Sequence, residues 1–169
     1  MPRITHCTDA SIPERKRKAN ADIFVSEDSV SVMLEHAARG ASENVEVMGL
    51  LAGSVHRDAG GIYAAVSKTV TSGLLSDEVS VRFDPEDMVT LFDALDLLDF
   101  DYVIVGWYNS HLGIGCFMSD TDMSTHASAF GESGYAIVID PIKEEMKVFK
   151  GTVGGIAEAS MVVMDSADH

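Results

Sequence analysis

Short apolar runs alternate along the chain with segments whose apolar residues recur every three or four positions, a mixture that predicts a sheet flanked by helices. Asp22-Ile23-Phe24-Val25 reads as a short strand entering the domain. Ser26 then has the character of an N-cap, with Glu27 and Asp28 in the first turn and Val30, Met33, Leu34 and Ala37 at helical spacing until Gly40. Residues 45–55 and 62–70 are apolar and rich in β-branched side chains, and Asp58-Ala59-Gly60-Gly61 between them supplies turn chemistry, so they form a hairpin. Asp84-Pro85 opens a second helix, whose buried stripe is Met88, Leu91, Phe92, Leu95 and Leu98. Tyr102 to Tyr108 is a continuous apolar strand, followed by a loop containing Gly113 and Gly115 and by a third helix starting near Ser119. Tyr135 to Asp140 and Met146 to Phe149 are two more strands joined by a turn at Asp140-Pro141, and a final helix is expected over 154–163. The order after the entering strand is α-β-β-α-β-α-β-β, an α/β fold with a central mixed sheet flanked by helices and no internal repeat.

Length and charge narrow the classes that fit. The 169 residues, 46% of them hydrophobic, suffice for one core: a flexible leader over 1–20 and a single domain over 21–169. No run approaches the roughly 18 apolar residues of a membrane span, and the N-terminus lacks the apolar core of a secretory signal. The expectation is a soluble cytoplasmic protein with no membrane partner. Cys7 and Cys116 make neither a CxxC pair nor a disulfide framework, which agrees with a reducing compartment. Residues 1–18 carry Arg3, Arg15, Lys16, Arg17 and Lys18 against Asp9 and Glu14, a balance of +3 that leaves −18 on the rest of a chain whose total is −15. Such a body repels nucleic acid, and the basic run reads as a solvated arm.

Five positions carry candidate chemistry. Glu46 interrupts the apolar run Val45-Glu46-Val47-Met48-Gly49-Leu50-Leu51; it is either exposed on an edge strand or buried where a partner, a proton or a metal-bound water offsets its charge. His111 follows the strand at 102–108, and Asn109, two residues before it, shares its face because strand side chains alternate. Ser119-Asp120-Thr121-Asp122 is a Ser-x-x-Asp capping box, which explains itself without catalysis.

Taken together, Glu46, then Asn109-Ser110-His111, seven residues, Ser119, two residues and Asp122 resemble the signature of the JAMM (MPN-type) metalloproteases: a Glu, then His-Ser-His-Pro, then Ser and Asp at this spacing. The flanks Gly106-Trp107-Tyr108, Gly113 to Met118 and Glu46 to Leu50 are similar to those of the proteasome-lid deubiquitinase and signalosome deneddylase subunits. The resemblance implies the MPN fold over roughly 22–150 and a zinc site with an open coordination position. It assigns Glu46 as general base, His111 and Asp122 as zinc ligands, and Ser119 as a hydrogen-bond donor to the developing oxyanion. It further implies ubiquitin or a ubiquitin-like modifier as partner, with membership of a proteasome-like or other assembly.

Two positions depart from that signature. Asn109 stands where the family has its first zinc-binding histidine, and a neutral amide oxygen is a weak ligand for zinc, so zinc is expected to bind weakly or be absent. Leu112 replaces the proline, a milder change that frees the loop. The segment 71–84 falls where close relatives carry an insertion contacting the modifier's tail; within it Val79, Ser80, Val81 and Arg82 alternate as an added strand does, or form an ordinary loop. The competing reading is a metal-free MPN scaffold that holds partners in a larger assembly.

Overall fold

The computed structural model describes residues 21–76 and 103–165. The leader at 1–20, the second helix from Asp84 and the segment carrying Val79, Ser80, Val81 and Arg82 lie outside the described residues.

Strand β1 (Ile23–Ser26) runs directly into helix α1 (Glu27–Ser42), whose N-cap is Ser26: its Oγ accepts from the Ser29 N–H at 3.1 Å. The hairpin is longer than its apolar runs, with β2 (Glu46–Asp58) and β3 (Gly61–Ser76) paired antiparallel from Asp58↔Gly61 to Glu46↔Ser76. After β4 (Val103–Ser110) come helix α2 (Asp120–Phe130), β5 (Tyr135–Asp140) and β6 (Glu145–Thr152). Residues 154–163 do not form the expected helix; they make β7 (Gly155–Ala159) and, with Met164, β8 (Met161–Met164). Gly154, at φ +85°, reverses the chain so that β7 pairs antiparallel with β6, while β8 pairs in parallel with β1. Gly155, Ala157, Ala159 and Ser160 carry too little periodicity to choose a helix, and the open sheet edges decide.

The strand order is β7-β6-β5-β4-β2-β3-β1-β8, a mixed sheet. Strands β7 and β8 sit at opposite ends of that order yet are separated by Ser160 alone, so the sheet curls until its edges meet. Asp22 seals the seam: its carboxylate accepts from Lys150 Nζ on β6 at 2.8 Å and from the Ser160 N–H at 3.0 Å.

Helix α1 covers one face through Met33 and Ala37, which pack with Ile23, Val47, Leu51, Val66 and Ile137. On the other face Met48, Leu50 and Trp107 pack with Met118 and Phe130 beside α2. The central strands are pressed together at glycines. A Cβ on Gly106 would lie 2.1 Å from the Tyr135 carbonyl oxygen, and one on Gly49 would lie 2.4 Å from the Tyr108 ring. These contacts account for Gly106-Trp107-Tyr108 and Met48-Gly49-Leu50 as packing requirements rather than chemistry.

Candidate metal centre

A bulge in β4 aims the candidate residues. Leu51 pairs with Gly106 but Ala52 pairs with Ile104, so Val105 is an extra residue and the alternation of faces resets after it. Val103 and Val105 point to the α1 face; beyond the bulge Trp107 turns toward α2, and Asn109 and His111 follow it at intervals of two. On β2, Met48 pairs with Asn109, and continuing that register sets Glu46 across from His111. Ser110, fully buried between the two candidate ligands, accepts from the Val47 N–H at 2.8 Å and pins the start of β2 to the end of β4.

Helix α2 brings the fourth group. Its N-cap Ser119 accepts from the Asp122 N–H at 3.1 Å, and Asp122 Oδ2 accepts from the Ser119 N–H at 3.1 Å, a complete capping box. Capping does not exhaust Asp122. Its Oδ1 accepts from Asn109 Nδ2 at 3.0 Å, and its Oδ2 lies 3.0 Å from His111 Nε2. Behind this group Trp107 Nε1 donates to His126 Nδ1 at 3.1 Å and His126 Nε2 donates to the Ser133 carbonyl at 2.8 Å, locking β4 to α2.

His111 is oriented from its far side: Nδ1 donates to the Gly115 carbonyl at 2.8 Å, and Phe117 packs edge-on with ring centroids 5.1 Å apart. Nε2 is therefore the ring atom turned to the centre. Burial alone would lower the imidazole pKa, but the hydrogen bonds to Asp122 and Gly115 and the charges of Asp122 and Glu46 raise it above its ordinary value. Glu46 is only 5% exposed, and its carboxyl is pushed up to about 7, first by burial and then by Asp122, against the opposing pull of His111. It shares the electrostatic field of both.

Among the described residues no three His, Cys, Asp or Glu side chains gather as a metal site. Beside His111 and Asp122 the third donor is the Asn109 amide. Its Nδ2 must face the acceptor-only carboxylate of Asp122, which turns Oδ1 away; that oxygen has no hydrogen-bond partner among the described residues, in a side chain 1% exposed. A buried acceptor without a donor costs about 1–3 kcal/mol, and a cation relieves it. Two donor atoms about 2.1 Å from a tetrahedral metal lie roughly 3.4 Å apart, so the His111–Asp122 pair needs only a small shift to share one. A divalent cation fits His111 and Asp122; Asn109 joins as a third, weak neutral donor only by turning its amide over and giving up the Nδ2 bond to Asp122.

Sequence reasoning missed Ser110, Gly115 and Asp140, the last a fully buried carboxylate at the end of β5. Burial would raise the Asp140 pKa, yet the backbone N–H groups of Lys143, Gly115, Gly113 and Ile142 hold it below the usual carboxylate range. Only its bonds to Ile142 and Lys143 are local enough for a turn signal to suggest. A cavity of about 120 Å³ lined by Asp22, Phe24, Asp58 and Tyr63 lies at the other end of β2 and includes none of the candidate residues. No described helix is long and apolar enough to cross a membrane.

The curled mixed sheet with its helices defines an α/β domain of MPN type. The sequence pattern of the JAB1/Mov34/MPN/PAD-1 ubiquitin protease family matches residues 18–130, and the chain belongs to that family. It is 32% identical over 146 residues to the 26S proteasome non-ATPase regulatory subunit 14 of Drosophila melanogaster, covering 85% of this chain and 44% of that protein. It is also 32% identical over 124 residues to the ubiquitin carboxyl-terminal hydrolase RPN11 of Saccharomyces cerevisiae (72% of this chain, 39% of that protein). The COP9 signalosome complex subunit 5 of Caenorhabditis elegans matches at 32% identity, over 72% of this chain and 33% of its own length. The chain thus spans less than half the length of these relatives. The fold is shared with the solution structure of a Desulfitobacterium hafniense protein, at a TM-score of 0.63 and 22% identity, over 87% of this chain and 98% of that one.

Proposed function

We propose that the chain is a zinc-dependent isopeptidase that removes ubiquitin or a ubiquitin-like modifier from a lysine side chain, and that Asn109 leaves it weakly metallated and slow. The observation that supports this reading is the buried group in which Asn109 and His111 both bond to Asp122, with Glu46 in the electrostatic field of His111 and Asp122. His111 Nε2 and Asp122 would hold the metal, with Asn109 Oδ1 as the third donor. Zinc, when bound, supplies Lewis acidity toward water and toward the scissile carbonyl.

The chain's own residues do the rest. Glu46, buried in the field of His111 and Asp122, accepts a proton from water and returns it to the leaving amine. The Ser119 hydroxyl accepts from the Asp122 N–H, so its O–H remains for the oxyanion. Val79, Ser80, Val81 and Arg82 pair as an added strand with the extended tail of the modifier.

A second reading has its own observation. Asp122 already accepts from Asn109, His111 and Ser119, so protons satisfy it without any metal, as a scaffold member of a larger assembly requires. The two separate in one experiment. Zinc-loaded Asn109→His protein should cleave a ubiquitin–lysine isopeptide, and adding Glu46→Gln should abolish turnover while keeping the metal. A zinc-loaded Asn109→His protein with no cleavage would favour the scaffold.

A further inference from the structure

We propose that Asp140 is the positioning residue of this centre, fixing the loop after β4 so that the Gly115 carbonyl holds His111 in its ligating orientation. The inference rests on the metal-site reading above. Asp140 Oδ2 accepts from the Gly115 N–H at 2.7 Å and the Gly113 N–H at 2.9 Å, while Oδ1 accepts from Gly113 at 3.0 Å, Ile142 at 3.1 Å and Lys143 at 3.0 Å. One fully buried carboxylate thus gathers four backbone donors from two loops. The bonds to Ile142 and Lys143 are an ordinary side-chain closure of the β5–β6 turn. Those to Gly113 and Gly115 cross 25 to 27 residues and have no part in that turn.

What they hold is a segment with little stiffness of its own. Gly113 and Gly115 sit at φ +88° and +92°, a region glycine enters and leaves at small cost, and Leu112 lacks the restraint of proline. The N–H of Gly115 is fixed by Asp140 and its carbonyl accepts from His111 Nδ1, so one residue links carboxylate to imidazole. The His111 backbone is set from the same strand, its N–H donating to the Ile139 carbonyl at 2.8 Å. β5 therefore fixes the ligand at its main chain and, through Asp140, at its ring. Partners that orient a ligating histidine typically change metal affinity about 10–100-fold when removed.

The test uses two readouts on Asp140→Asn, whose amide nitrogen cannot accept from the loop. In metal-free protein, proton–nitrogen NMR should show the His111 Nδ1–H signal and protected Gly113 and Gly115 amides in the native chain and their loss in the variant. In the Asn109→His background, cobalt(II) affinity should fall about 10–100-fold. If Asp140→Asn does not fold, Gly115→Ala serves instead. Its Cβ meets nothing nearer than 3.8 Å, so the strain falls on the backbone that carries the same carbonyl, and Asp140 keeps its other bonds. A variant that melts earlier but retains the His111 signal, the glycine protection and the cobalt affinity would overturn the proposal and leave Asp140 a turn residue. Should no cobalt bind in the Asn109→His background, the metal-site reading fails, while the ring-proton signal still decides whether Asp140 positions His111.

Discussion

Replacing Glu46 by glutamine removes a charge that the metal-free fold holds unfavourably. In the folded chain the carboxyl titrates at about 7 against an ordinary value of 4.5, chiefly because it is buried. Between those values the folded state keeps a proton that the unfolded state has lost, so stability falls as pH rises through this window and the full cost is present above it. The shift corresponds to roughly 3 kcal/mol at most, and about 1–2 kcal/mol once relaxation of the protein around the buried charge is allowed for. For a domain of this size that is about 2–8 °C in melting temperature. Melts of chelator-treated native and Glu46→Gln protein should coincide near pH 4.5 and separate at pH 8.5, with the glutamine variant higher. Equal shifts at both pH values, or a less stable variant at pH 8.5, would refute the assignment of Glu46 as a buried carboxyl held at a cost. Stability gained by removing a functional group is the pattern expected where a site trades stability for chemistry.

Two further substitutions test separate parts of the account. Ser26→Ala should cost about 1 kcal/mol by removing the α1 cap, seen as a drop of roughly 2–4 °C in melting temperature, with zinc affinity unchanged because the cap lies on another element. Proline at Val79 or at Val81 should severely reduce cleavage, at whichever position donates to the modifier's tail, with zinc content unaltered; full cleavage by both variants would remove this segment from substrate capture.

The elements with strong local signals were legible from the residues: the Ser26 cap, the Asp58–Gly61 hairpin turn, and the apolar strands read at 102–108, which runs on to Ser110, and at 135–140. So was the grouping of Asn109 with His111, which needs only strand alternation. What escaped depends on neighbours distant in sequence. The bulge at Val105 is invisible within a continuous apolar run, because both of its faces are buried. Asp140 reads as a turn residue, since its bonds to Gly113 and Gly115 exist only once β5 lies beside β4. Residues 154–163 took strand form because β1 and β6 each offered an open edge, which overrode a weak helical preference.

Calorimetric titration of zinc into metal-free native protein and into the Asn109→His variant tests the centre most directly, because it asks whether residue 109 belongs to the coordination sphere. One zinc per chain is expected in the variant, bound more tightly than in the native protein by at least the roughly 10–100-fold that outer-shell changes alone produce, with His111→Ala removing it. Equal zinc affinity with asparagine and histidine at 109 would contradict the account.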